Sequence, residues 1–221
     1  MASPITLPAD TIDDLIYDAR SGDLAALKED LTASSAQFPG VSPGALVAAA
    51  IDAAPEAEGG SGSSLLHFPA ANGNLEILNY LLTLLATEDE ATRRRIVNHR
   101  NHSGNTPLHW AALNTHLDCV KALVEAGADS SVKNAAGLDP VFLAERADWS
   151  TQEDGAAPAA EAEAAEAEAD SNAAAAADPG TMSKGRQVVE WMLSAEVAAA
   201  GGDSETVVAS AGVPVTGDGD E

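Results

Sequence analysis

Asn101-His102-Ser103-Gly104-Asn105-Thr106-Pro107-Leu108-His109-Trp110-Ala111-Ala112 decides how the rest of this 221-residue chain is read. Its frame returns 33 residues downstream as Asn134-Ala135-Ala136-Gly137-Leu138-Asp139-Pro140-Val141-Phe142-Leu143-Ala144. Gly104 maps to Gly137, Pro107 to Pro140 and Ala111 to Ala144. A fixed internal period of this kind is the signature of a repeat architecture, in which each unit buries its apolar face only against its neighbours.

The residue types explain the unit. Gly104 belongs to a turn where a positive φ costs a glycine little. Thr106 suits the cap of a first helix, and Pro107 its first position, where the missing N–H is no loss. Leu108, Ala111 and Ala112 give that helix a buried face, and the alanines allow the next unit to come close. A second helix is predicted from Leu117 to Glu125, with Leu117, Val120, Leu123 and Val124 at helical spacing. Gly127-Ala128-Asp129 then ends it, as a C-terminal glycine does.

Working outward, Ser64-Leu65-Leu66-His67-Phe68-Pro69-Ala70-Ala71-Asn72-Gly73-Asn74-Leu75-Glu76-Ile77-Leu78 aligns with Thr106 to Val120 at an offset of 42. The excess over 33 places an insertion within Thr83 to Arg100, lengthening a helix or a finger. A degenerate copy, Leu15-Ile16-Tyr17-Asp18-Ala19-Arg20-Ser21-Gly22-Asp23-Leu24, keeps Ala19, Gly22 and Leu24 and reads as an N-terminal cap. The last copy loses the pattern after Ala147 and regains a second helix at Gly185 to Leu193. The expected units are 12–31, 62–86, 101–133 and 134–195, within a domain spanning 12–195. Residues 32–61 form a long connection, with a short helix expected over Pro43 to Ala54. An acidic Ala/Glu-rich insert is expected at 150–182, and a disordered acidic tail at 198–221.

The period and the Thr106-Pro107-Leu108-His109 core resemble the ankyrin-repeat family. The resemblance implies an all-α solenoid of about four helix-turn-helix repeats with finger loops, degenerate at both ends. It implies partner binding through the finger tips and the open side of the first helices. Candidate contacts on the first two repeats are Tyr17, Asp18, Asp23 and Asn72. On the third they are His102, Asn105, Trp110, Leu113 and Asn114. On the fourth they are Leu138, Glu145, Arg146, Asp148 and Trp149, the last as an aromatic anchor.

The chain also resembles a narrower group, the small fungal ankyrin proteins that serve as dedicated chaperones. Their client is a KH-domain protein of the small ribosomal subunit, universal small-subunit protein number three. The resemblance rests on Leu66 to Asn74, on Gly104 to Asn114 with its Trp110 and Leu113-Asn114 pair, and on the broken, acidic C-terminal part. Pro69 and the Ala/Glu-rich insert depart from that group. The resemblance implies capture of the client's N-terminal segment on an acidic concave face, by a chain that is monomeric when free, with no direct nucleic acid or membrane contact. A generic ankyrin adaptor in signalling, transcription or protein degradation is the alternative reading.

Composition agrees with a binding role. Net charge is −24, and residues 151–221 alone carry 15 acidic and 2 basic residues. Such a chain repels nucleic acid and anionic membranes at long range and attracts basic partners, an attraction that salt weakens. One cysteine, Cys119, allows no intrachain disulfide. Met1 to Arg20 lacks a basic start followed by an apolar run, so no secretory signal is expected. The expected location is cytoplasmic and nuclear. Catalysis is not expected. His67 and His109 share one repeat position and read as framework, whereas His99 and His102 fall on a finger. No histidine pair has zinc-ligand spacing with cysteines, no glycine-rich phosphate loop follows a strand, and no Ser/His/Asp set has a motif context. No cofactor or metal is expected. Arg93-Arg94-Arg95, the one basic cluster, reads as an exposed helix end.

Overall fold

The computed structural model describes residues 5–152 and 182–200. Several helices begin where the sequence supplies a side-chain cap. α1 (Ala9–Ser21) follows Pro8, and α2 (Leu24–Gln37) is capped by Asp23, whose Oδ1 accepts from the N–H groups of Ala25 and Ala26. Ser42 caps α3 (Pro43–Ala49). α4 (His67–Asn72) and α5 (Leu75–Leu85) come next, followed by α6 (Glu90–Val97), capped by Asp89. Thr106 stands before α7 (Pro107–Leu113), and α8 (Leu117–Glu125) follows it. α9 (Pro140–Gln152) is capped by Asp139, and α10 (Lys184–Ala200) by Ser183.

These helices form two rows. α1, α4, α7 and α9 pack side by side as an inner row. α2, α5, α8 and α10 each lie behind their inner partner, and α3 stands between α2 and α5. The inner helices α4 and α7 span 6 and 7 residues, while the outer α5 and α8 span 11 and 9. The shorter row takes the inside of the curve. Ala70, Ala111, Ala112 and Ala144 are fully buried along it, so neighbouring helices meet over methyl groups. Leu15, Leu27, Leu78, Leu81, Leu108, Val120 and Leu123 fill the layer between the rows.

Several boundaries differ from the sequence reading. α2 continues to Gln37, beyond the first unit expected to end at 31. The short helix in the connection stops at Ala49, and Ile51 pairs with Ser64 in an isolated antiparallel bridge. The insertion in Thr83 to Arg100 neither extends α5 nor swells the finger. It folds as α6, because Asp89 caps it and Ile96 and Val97 give it two residues to bury. α6 packs on α3, so the two irregular elements cover one another. α9 carries on through Trp149 to Gln152, past Ala147, where the repeat pattern is lost. Of the expected insert and tail, residues 153–181 and 201–221 lie outside the described residues.

Pro69 fits without breaking α4. It is the third residue of that helix, where its absent N–H would have no helical partner. Its carbonyl accepts from Asn74 N–H at 2.9 Å, closing the helix at Gly73.

Gly44 is the tightest fit on the outer side. It is buried, and a Cβ there would collide with the backbone carbonyl of Leu84 and with Glu88, which accepts from the Ser42 hydroxyl. Gly44→Ala should therefore push α3 off α5 and destabilise the chain by about 1–3 kcal/mol in urea unfolding. An unchanged midpoint would mean that α3 is not seated as described.

Candidate partner-binding face

The face is held by histidines and asparagines that join one repeat to the next. His109 Nδ1 accepts from Thr106 N–H at 3.1 Å, so the ring proton sits on Nε2, which donates to Leu138 O at 3.2 Å in the following finger. His67 repeats this one unit earlier: Nδ1 accepts from Ser64 N–H at 3.1 Å and Nε2 donates to Asn105 O at 3.0 Å. His99 Nε2 donates to Gly62 O at 2.8 Å, and His102 Nδ1 to Gly60 O at 2.9 Å. The finger histidines thus tie the third finger to the second, and only His102 stays exposed.

Asparagines do the same at the other end of the inner helices. Asn72 Nδ2 donates to Arg20 O at 2.9 Å and Asn114 Nδ2 to Ala71 O at 2.8 Å. The two residues occupy equivalent positions, and each reaches the preceding inner helix. His116 Nε2 also donates to Ala71 O, at 2.9 Å. Asn98 bridges outward, donating to Gly127 O at 3.0 Å and accepting from Asp129 N–H at 2.7 Å. Sequence reading missed Asn98, because nothing in its neighbourhood marks it except its place at the end of the inserted helix.

Burial lowers the affinity of these rings for a proton. His67 is pushed down to about 3 by burial, with His99 and His109 nearby adding to the effect. His99, His109 and His116 are lowered as well, chiefly by burial. Cys119 is buried, and its thiol is pushed up to about 11, so it is a core residue and a poor nucleophile. Among the described residues, no group of three or more His, Cys, Asp or Glu side chains is placed to hold a metal ion.

The aligned first-helix positions Tyr17, Phe68 and Trp110 form an aromatic stripe across three repeats. Tyr17 is 70% exposed, Trp110 half-buried and Phe68 nearly covered. Trp110 stands edge-on to His67 at 5.2 Å and to Phe68 at 5.9 Å between ring centres. Leu113 is 40% exposed beside it, and Trp149 is 59% exposed further along α9. Phe142, not foreseen as a surface residue, is 38% exposed.

Several expected contacts carry structural tasks. Asp18 is only 6% exposed, because it replaces the framework alanine that Ala111 supplies in the third repeat. Asp23 is exposed, but its Oδ1 caps α2. Asn72 and Asn114 are exposed inter-repeat ties. Asn105 accepts from Asn134 Nδ2 at 2.8 Å, and Leu138 is half-buried beneath the His109 bond. Glu145 and Arg146 are half-buried on α9, while Asp148 packs against Gly185 of α10. Of the carboxylates expected on this face, Asp18 is therefore buried and Asp23 is a helix cap, while its exposed middle carries Trp110, Leu113 and the asparagines.

The comparisons with known proteins agree with this geometry. A family model described as ankyrin repeats in three copies matches residues 18–134. The chain belongs to the ankyrin-repeat family. Ankyrin repeat-containing protein YAR1 of Saccharomyces cerevisiae is 36% identical over 135 residues, 60% of this chain and 61% of its own length. This chain thus spans about three-fifths of that curated relative. The solved structure of the yeast ribosomal protein Rps3 in complex with its chaperone Yar1 contains a chain that matches at a TM-score of 0.56 and 33% identity. The match covers 69% of this chain and 99% of that one. The palmitoyltransferase Hip14 of Drosophila melanogaster is 35% identical over 80 residues, but those are 11% of its length.

The lowered histidines fix one sign of the pH response. In the unfolded chain a histidine takes up a proton near its ordinary value of 6.5; in the folded chain His67 resists until about 3. Their contribution is fully present above pH 6.5 and is lost as pH falls towards the folded values. At about pH 5.5, nitrogen NMR should still find His67 neutral, with the proton on Nε2. A charged His67 ring at that pH would refute the bridge.

Asp18 works in the opposite direction. Burial first, then the Asp30 carboxyl and the charges of Asp23 and Asp14, raise it from 3.8 to about 6. Its ionisation destabilises the fold as pH rises through that interval, fully so above it. Asp18→Asn should raise stability by about 1–3 kcal/mol near pH 7.5, and the gain should disappear by about pH 4. Urea midpoints at the two pH values decide it.

Proposed function

We propose that this ankyrin chain is a non-catalytic chaperone for a newly made basic protein of the small ribosomal subunit, of the KH-domain class. It keeps that client soluble and escorts it towards ribosome assembly, working in both the cytoplasm and the nucleus. One observation carries the reading. The chain aligns with Yar1 through its repeats at 36% identity, and it superposes on a chain from the solved complex of Rps3 with its chaperone Yar1.

The physical logic is direct. A ribosomal protein off the ribosome exposes basic segments that otherwise meet RNA. A chain of net charge −24 draws such a client in and discourages its premature contact with polyanions. The charge accelerates and selects encounter, whereas the aromatic stripe on the inner row supplies apolar contact area. Leu113 and Trp110 would then carry short-range affinity, and the flanking carboxylates would carry the salt dependence.

The test is a pull-down of the tagged chain from lysate of its own cells at about 50 mM and about 500 mM salt, a range over which surface charges become screened. A single basic small-subunit ribosomal protein, retained at low salt and depleted at high salt, is expected. A salt-insensitive, non-ribosomal partner would point to a general ankyrin adaptor. Leu113→Arg, at an exposed position, should weaken capture by more than about tenfold while leaving the urea midpoint within about 0.5 kcal/mol. Equal capture by the variant would move the contact off the inner row.

A further inference from the structure

An open hollow of about 560 Å³ lies at the N-terminal end of the stack, where α1 turns into α2. Tyr17, Asp18, Ser21 and Asp23 line it. Tyr17 offers its ring, being 70% exposed. Asp18 is buried, and its Oδ2 receives no hydrogen bond when the carboxylate is ionised. A buried carboxylate oxygen without a partner is costly in a folded protein, and a donor from outside would relieve it. Asp30 of α2, the nearest partner, hydrogen-bonds Asp18 only while that carboxyl pair holds a proton, and once both are ionised it repels instead. Ser21 Oγ donates to Asp18 O at 3.1 Å, and Lys28 of α2 is turned away over the Tyr80 ring at 5.0 Å. Asp23 adds an exposed carboxylate whose capping role uses Oδ1 alone.

We propose that this hollow holds one guanidinium or ammonium side chain of a basic partner, seated against Asp18 and Asp23 with its face on the Tyr17 ring. The partner's identity rests on the chaperone reading above; the cation site itself does not. A planar guanidinium has the donors to satisfy Asp18 Oδ2 and Asp23 together, and the face to stack on a tyrosine. Asp14 on α1 and Asp30 on α2 also raise Asp18, while the neighbouring inner helix α4 presents only the neutral His67 as a titratable group. A bound cation would favour ionised Asp18, so protonation near 6 should oppose binding.

Argininamide is the probe, followed by amide NMR on the full chain, with neutral citrullinamide as the control. Saturable shifts confined to Tyr17 through Leu24 are expected, with none from citrullinamide. Affinity should fall about tenfold from pH 7.5 to pH 5. Asp18→Asn should weaken binding at least about fivefold and flatten the pH profile. Tyr17→Ala, at an exposed position, should weaken it about threefold. Shifts spread over the acidic surface, or unchanged in Asp18→Asn, would overturn the site. The same variants are then titrated with the purified KH-domain ribosomal protein. Binding by the parent chain that Asp18→Asn leaves intact would remove the hollow from client capture while sparing the chaperone reading. Failure of the parent to bind that protein, with argininamide still seated, would sink the chaperone reading and keep the cation site.

Discussion

The imidazoles of His67 and His109 each hold two repeats in register, and the inner row depends on them. Each ring accepts from the N–H of its own turn and donates to a carbonyl of the next finger. That arrangement needs one neutral tautomer and no other. A charged ring would present a proton to the very N–H that Nδ1 accepts from, so burial and hydrogen bonding reinforce one another. Asn72, Asn114 and His116 perform the matching task at the opposite end of the inner helices. The row is thus tied at both ends, and the alanine contacts between the ties set its spacing.

This double tie leaves the outward part of the intervening surface free of framework duty. Trp110 and Leu113 sit between His109 and Asn114, and their outward faces are not needed to hold the repeats together. A rigid scaffold with unconstrained side chains between fixed points is what a recognition surface requires. It also explains why the asparagines foreseen as contacts turned out to be structural: their spacing along the chain is the same as that of surface positions, but a carbonyl lies within their reach.

The repeat unit was legible because its chemistry is local. Thr106, Pro107 and Gly104 each act on their own turn, and α7 and α8 run as the period and caps imply. Where the neighbourhood is not local, the sequence offered less. α6 was hidden because its apolar face amounts to Ile96 and Val97, too short a stripe to show a period. Asp18 was read as surface because an acidic residue on a helix usually is; only the alignment with Ala111, taken literally, marks the position as buried. The acidic inner face was read from Asp18, Asp23, Glu145 and Asp148, of which Asp18 is buried and Asp23 caps α2. Composition does not decide such a placement, since charge can collect at ends, fingers and tails as readily as along one row.

Asp18 is the residue where local and global demands conflict. An alanine there would complete the framework, as Ala111 and Ala144 do, at no electrostatic cost. The chain instead keeps a carboxylate under desolvation, beside Asp30, with Asp23 and Asp14 adding their charge. Such strain is rarely kept at a position that only packs, and it is characteristic of sites that meet a ligand. The location sharpens the point. Asp18 lines the open hollow where α1 turns into α2, so a buried charge there is one move from the surface, whereas the same charge at Ala111 would be enclosed between α4 and α9. The end of a solenoid is therefore the place where an ankyrin array can hold an unsatisfied carboxylate without losing the stack.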